Sequence, residues 1–395
     1  MNTNKNKIRA VDLFSGAGGF SLAAKKVGID VLAAIEFDKD ACDTYRNNFI
    51  GNHSTEKLYH EDITKLSPHT VLNDLNLKAG ELELLIGGPP CQGYSRHRFK
   101  DQGVDDPRNR LLITYFDFVS AIKPKVFLVE NVPGLLWKRH EFHLKKFFSL
   151  AKKAGYSVFD PVKVNAKDYG VPQNRQRVFI LGIRNDLSAK GIEWPPKPTH
   201  FPIGKGQVPE WKTASSVFSV PTTEIAKEIE KVIGKESLQA IEFGSALLPL
   251  SVDSNSIHMT HKEYMVERFS KTPIHGSRED SGETLPCHSN GYKGHKDVYG
   301  RIFLNKPGPT MTTGCMNPSK GRFLHPWENH GITIRHAARF QTFPENFKFS
   351  GGLISQARQV GNAVPVELGT TLLKEVMDIL QQQVVVINKN LISSN

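Results

Sequence analysis

From residue 8 to about residue 185, short apolar, β-branched runs alternate with stretches whose apolar positions recur at helical spacing. That alternation predicts an α/β sheet whose strands are joined by crossover helices. The runs IRAVDLF (8–14), DVLAAIE (30–36), LELLIG (82–87), KVFLVEN (125–131) and RVFILGI (177–183) are bounded by glycine, proline or polar residues. Apolar nearly throughout, they read as strands buried on both faces. Helices are expected at 20–27, at 39–48 with Asp38 as N-cap, at 111–122 and at 142–154.

After Arg184 the texture changes. Prolines at 195, 196, 198 and 202 mark a domain boundary, and the region beyond shows no repeat and one clear helix, Thr223 to Ile233. Near the end, ITIRHAARFQTFP (332–344) reads as a short helix begun at Thr333 and stopped by Pro344, and Val366 to Leu380 as a longer one that packs back on the first domain. The expected division is therefore 1–185 plus about 345–395 in one domain and about 186–344 in a second, smaller one.

Composition narrows the function classes. With 395 residues, 39% hydrophobic and 23% charged, the chain can bury a real core. No apolar run approaches the roughly 18 residues that cross a bilayer, and MNTNKNKIRAVDLF has no apolar leader, so a cytoplasmic protein without a membrane partner is expected. The 51 lysines and arginines against 40 aspartates and glutamates give a net charge of +11, which favours a polyanionic partner. Cys42, Cys91, Cys287 and Cys315 form no C-x-x-C pair, so neither a structural zinc nor a disulfide framework is indicated and no metal is expected.

Candidate chemistry lies in the loops after the strands. DLFSGAGGFS (12–21) places Gly16, Gly18 and Gly19 between strand and helix, where a ligand can approach backbone N–H groups. A tight turn with no ligand would use the same glycines. Glu36 ends the second strand 24 residues after Asp12, where an acidic side chain suits ribose hydroxyls, and Asp62 could meet the amino group of a nucleoside base. GGPPCQGYS (87–95) sets Cys91 at a strand end beside the glycine loop. The next 19 residues, Gln92 to Arg110, carry Arg96, Arg98, Lys100, Arg108 and Arg110 in a polar loop of the kind that closes over phosphates. Glu130 ends another buried strand on that edge, and Arg175 and Arg177, two apart at a strand start, should point to one face.

Taken in order, these segments resemble the DNA cytosine-5 methyltransferase family. DLFSGAGG, Glu36, Asp62, PPCQGYS, ENV (130–132), QNRQRVFILG and QVGNAVP (359–365) match successive family motifs along the chain. One departure is visible: where family members often carry Thr-Pro-Arg-Glu, this chain has Ile334 and His336 in place of proline and glutamate, which bears on how the recognition domain packs. The resemblance implies a Rossmann-like sheet that binds S-adenosylmethionine, releasing S-adenosylhomocysteine, through Phe14, Gly16, Gly18, Gly19, Glu36, Asp62, Ile63, Pro90, Leu111, Asn362 and Val364. It implies Cys91 as nucleophile, Glu130 as its acid partner, Arg175 and Arg177 as holders of the base and of Glu130, and a smaller target-recognition domain that reads duplex DNA. The compact form looks like bacterial or phage enzymes that accompany restriction systems, which makes a cognate endonuclease a further expected partner and a monomer the expected state. Two rivals remain: a transfer-RNA cytosine-5 methyltransferase, against which the absence of Cys-Phe-Thr speaks, and a catalytically silent DNA-binding relative, against which intact Cys91, Glu130, Arg175 and Arg177 speak.

Overall fold

The computed structural model describes residues 7–51, 54–90, 111–282 and 296–392, with side chains described to residue 382. The chain forms two compact units: one of residues 1–165, 176–197 and 366–395, the other of 166–175 and 198–365.

The first unit is built on an eight-stranded sheet of β1 (Arg9–Leu13), β2 (Asp30–Glu36), β3 (Lys57–His60), β4 (Leu84–Gly87), β5 (Val126–Asn131), β6 (Tyr156–Val158), β7 (Val162–Asn165) and β8 (Gln176–Arg184). Its order is β3-β2-β1-β4-β5-β8-β6, with β7 also paired to β8. β1 to β5 run parallel, and β8 is antiparallel to β5. The five expected strands are all present. β3, β6 and β7 were not expected, because three or four residues on a partly exposed edge leave no apolar run to detect.

Helices α1 (Gly19–Lys26), α2 (Lys39–Phe49), α3 (Pro68–Asp74), α4 (Leu111–Ile122) and α5 (Glu141–Lys153) connect these strands. Asp38 caps α2 as expected, its carboxylate accepting the Ala41 N–H at 3.1 Å. The core is dense around Phe127, whose ring meets Phe147 edge-on at 5.9 Å, as Phe116 does at 5.5 Å. Gly182 faces Phe127 across β5 and β8, and a Cβ there would stand 2.1 Å from that ring, so the strand takes a glycine where the aromatic needs the space.

The second unit holds α6 (Thr223–Ile233), α7 (Lys235–Ala240), α8 (Glu263–Ser270), α9 (Ile334–Phe340) and α10 (Leu353–Asn362). Among the described residues its loops are tied by buried arginines rather than by a sheet. Arg301 donates to the carbonyls of Thr272, His325, Glu328 and Phe269 and to Asn329 Oδ1, at 2.6–3.0 Å. Arg335 grips Asp253 through Nε and Nη2 at 2.7 and 3.0 Å. The departure at His336 also finds its place. Thr333 caps α9, and His336 Nδ1 accepts the Thr333 N–H at 3.3 Å, doing as a neutral ring what glutamate does in an ordinary capping box.

The chain then returns to the first unit as α11 (Val366–Ile392), which packs on α1 with Lys26 Nζ 2.5 Å from Glu367 Oε1. The expected boundaries at 185 and 345 shift to 197 and 365, and 166–175 joins the second unit. The cause is local. Gln341 Nε2 donates to the carbonyls of Val360 and Ala363 at 2.6 and 3.0 Å, and Asn255 Nδ2 to that of Phe349 at 3.1 Å, binding α9, α10 and the segment after them to one body.

Candidate active site

Parallel pairing brings the chemistry to one edge of the first unit. Leu13 pairs with Ile35 and Gly87, Glu36 with His60, and Gly87 with Val129, so the carboxyl ends of β1 to β5 lie in register. Open α/β sheets bind ligands outside such an edge.

At the β1 end Phe14 and Gly16 adopt left-handed φ of 58° and 56°, and Gly18 has φ 90°. A Cβ on Gly16 would meet nothing within 4 Å, whereas one on Gly18 would lie 2.3 Å from the Phe49 ring. The loop is thus packed at Gly18 and open at Gly16. Glu36 joins it to β2: Oε2 accepts the Gly16 N–H at 2.8 Å, and Oε1 accepts those of Phe37 and Asp38 at 2.9 and 2.7 Å. Burial raises the Glu36 pKa against the pull of these N–H groups. Phe37, 71% exposed, is a large aromatic beside this carboxylate that the sequence reading missed. Its only signal was an apolar residue in a polar turn.

Asp62 is half-buried, and Thr64 holds its carboxyl below the usual range by donating from N–H and hydroxyl at 2.9 and 2.8 Å. Ile63 is buried in the core, and Leu111 opens α4 half-buried against the same cluster. Pro90 is exposed at the end of the Gly87–Pro90 segment. Cys91 and residues 92–110 lie outside the described residues, as does Cys287. Cys42 and Cys315 are buried, and burial pushes both thiols up to about 12, which leaves them unsuited to nucleophilic work.

Glu130 and Asn131, at the end of β5, both reach the two residues that lead to Pro90. A Cβ on Gly88 would stand 3.1 Å from Glu130 Oε2, and Asn131 Nδ2 donates to the Pro89 carbonyl at 3.2 Å. Arg177 Nε lies 2.9 Å from Glu130 Oε1, the two side chains being 13% and 10% exposed. Burial lowers the Arg177 pKa while Glu130 opposes that shift.

Arg175 departs from expectation. It precedes β8 rather than opening it, and belongs to the second unit. Fully buried, it donates through Nη1 to the Met311 carbonyl at 2.8 Å and through Nη2 to those of Gly361 and Ala363 at 2.8 and 3.0 Å. Arg177 lies on β8 and pairs with Glu130, whereas the bonds of Arg175 run to carbonyls of its own unit. Asn362 and Val364 are also in the second unit. Asn362 is the exposed last residue of α10 and Val364 is buried, so this segment follows a helix rather than a strand. Among the described residues no group of three or more His, Cys, Asp or Glu is placed to hold a metal, and no helix is long and apolar enough to cross a membrane.

A parallel sheet extended by an antiparallel strand, with a glycine loop and an acidic second-strand end on one edge, defines a Rossmann-like methyltransferase fold. Comparison with known proteins sharpens that class. The family described as C-5 cytosine-specific DNA methylase matches residues 8–378, and the chain belongs to it. Type II methyltransferase M.DdeI of Desulfomicrobium norvegicum is 31% identical, over 93% of this chain and 88% of its own. Type II methyltransferase M.NgoFVII of Neisseria gonorrhoeae is 30% identical, over 96% and 89%. Among solved structures, a DNA modification methyltransferase encoded within an Escherichia coli prophage superposes with a TM-score of 0.68 at 25% identity, covering 95% of this chain and all of that one. The protein is thus a DNA cytosine-5 methyltransferase of restriction-modification type, a family that implies S-adenosylmethionine as cofactor.

Proposed function

We propose that this enzyme methylates C5 of a cytosine extruded from duplex DNA, within a specific sequence, through a transient bond between Cys91 and C6 of the ring. The observation that carries the reading is the Asn131 bond to the Pro89 carbonyl beside a Glu130 Oε2 that stands 3.1 Å from where a Gly88 Cβ would be, which sets the carboxylate next to the segment leading into Cys91. Addition of the Cys91 thiolate at C6 forms the S–C6 bond and moves the C5–C6 π pair onto C5, making a poor nucleophile reactive. Glu130, oriented by Arg177, shares a proton with N3 and relieves the charge that accumulates there. After C5 is methylated, loss of its proton returns the electron pair to the ring and expels the sulfur.

The glycine loop fits S-adenosylmethionine on the structure's own terms. Gly16 leaves open space, Glu36 stands at the second strand end, and Phe37 offers an exposed ring face. When bound, the cofactor supplies an electrophilic methyl group. Phe14, Gly16, Gly18, Gly19, Glu36, Asp62, Ile63, Pro90 and Leu111 are assigned to hold it. Within the second unit Arg175 acts as a positioning residue for the segment of Asn362 and Val364 through the Gly361 and Ala363 carbonyls. The second unit reads DNA, and base extrusion costs a few kcal/mol that its contacts must offset. A cognate endonuclease, a monomeric state and a cytoplasmic location complete the proposal.

Bisulfite sequencing of DNA from cells expressing the protein, with Cys91→Ala as control, tests it. Methylated cytosines confined to one sequence context and abolished in the variant are expected. Methylation that survives Cys91→Ala, or that is confined to transfer RNA, overturns it.

A further inference from the structure

Behind the glycine loop, four side chains from different elements form a buried line. Asp12 Oδ2 on β1 lies 2.6 Å from Ser21 Oγ on α1, and Ser21 Oγ lies 2.8 Å from Tyr45 Oη on α2. Tyr45 Oη in turn bonds Glu56 Oε1, just before β3, and Glu56 Oε2 pairs with Lys25 Nζ at 2.5 Å. Asp12, Ser21 and Tyr45 are at most 1% exposed and Glu56 is 8% exposed.

Counting hydrogens decides the chemistry. Three oxygen–oxygen contacts need one hydrogen each, and the two hydroxyls supply only two. The third must sit on a carboxyl. Glu56 is ion-paired with Lys25, so the proton belongs on Asp12, which then donates to Ser21, Ser21 to Tyr45, and Tyr45 to Glu56.

The line joins both halves of the proposed cofactor site. Tyr45 and Phe49 form the floor beneath Gly18, where a Cβ would lie 3.0 and 2.3 Å from their rings. α2 follows directly on Glu36 and Phe37, while Asp12 and Ser21 flank the loop on the other side. We propose that the Asp12–Ser21–Tyr45–Glu56 line is a proton-dependent positioning network that holds the glycine loop against Glu36, and that S-adenosylmethionine binding tightens when Asp12 carries the proton. This rests on the reading of that loop as the cofactor site.

The surroundings agree. Burial, aided by the carboxylates of Glu56 and of Glu36 on β2, raises the Asp12 pKa to about 7, against the pull of its Ser21 hydrogen bonds. Tyr115 on α4 also faces the buried carboxyl and is itself held neutral by burial, its hydroxyl donating to the Leu85 carbonyl at 2.9 Å. Loss of the Asp12 proton leaves the Ser21–Tyr45 contact without a hydrogen, and the loop loses a link to its floor.

The test is calorimetric titration of S-adenosylhomocysteine on either side of pH 7, together with infrared spectra of the free protein. Wild-type affinity should weaken about threefold to tenfold above pH 7, the scale of one net hydrogen bond. Asp12→Asn, whose amide donates permanently to Ser21, should bind tightly at both pH values. Tyr45→Phe, which keeps the ring under Gly18, should bind weakly at both. A protonated-carboxyl band should be present in wild type below pH 7 and absent from Asp12→Asn. A wild type lacking that band, or an affinity indifferent to pH and to Tyr45→Phe, overturns the inference. Glu36→Ala separates it from the reading beneath: unweakened binding there removes the cofactor site itself, while weakened binding with the other variants unchanged removes only the network.

Discussion

Glu130 ties the chemistry to the scaffold, since it touches Gly88 on one side and Arg177 on the other. Glu130→Gln keeps the shape but cannot share a proton with N3, so kcat should fall by roughly 10²- to 10⁴-fold, with S-adenosylhomocysteine affinity near wild type by calorimetry. Arg177→Ala should cost stability as well, because it removes the 2.9 Å ion-pair partner of a carboxylate only 10% exposed. Denaturant unfolding should register a loss of about 3–5 kcal/mol. Glu130 and Arg177 were legible in the sequence because each ends or opens an apolar run. Arg175 lies one position before β8, and its bonds to the carbonyls of Met311, Gly361 and Ala363 have no counterpart in the sequence pattern. The line from Asp12 to Glu56 was not legible, since its members are 9, 24 and 11 residues apart and meet only through the fold.

Elements with a strong period were legible, and those held by side-chain to carbonyl bonds were not. The buried strands and α6 came directly from apolar spacing. The loops around Arg301 and Arg335 carry no period, because guanidinium groups fix them one carbonyl at a time. The start of α9 supplies a test at this scale. Thr333→Ala should destabilise by about 0.5–2 kcal/mol, the usual worth of an N-cap. Acid should act on the same region, because burial holds His325 and His336 well below their ordinary 6.5. The unfolded chain then binds protons first, so this contribution is full above about pH 6.5 and lost as pH falls below it. Hydrogen-exchange protection within 198–365, taken relative to the intrinsic rate at each pH, should fall on acidification, and constant protection across that range would contradict the assignment. At the catalytic edge Gly87→Ala would set a Cβ 2.5 Å from the Leu13 carbonyl oxygen. Overpacking of that kind costs roughly 1–3 kcal/mol in thermal unfolding.

For the whole molecule, the order of the loop motifs along the chain was enough to indicate the family, and the net charge of +11 agrees with a DNA substrate. The division into two units was legible only to within about 20 residues, because side-chain bonds from Gln341 and Asn255, which leave no apolar pattern, bind the segment after Pro344 into the second unit. Binding of cognate duplex should weaken steeply with salt, log K falling by about 0.9 for each phosphate neutralised per unit log salt. A flat salt dependence in gel-shift or anisotropy titrations would remove the polyanion argument. The proposed chemistry turns on a covalent bond from Cys91, and a duplex carrying 5-fluorocytosine at the methylated position reads it most directly, since fluorine in place of the C5 proton blocks release of the sulfur. With S-adenosylmethionine present, wild-type protein should form a denaturation-resistant protein–DNA adduct and Cys91→Ala none. Turnover on ordinary duplex without any trapped adduct on the fluorinated one would contradict it.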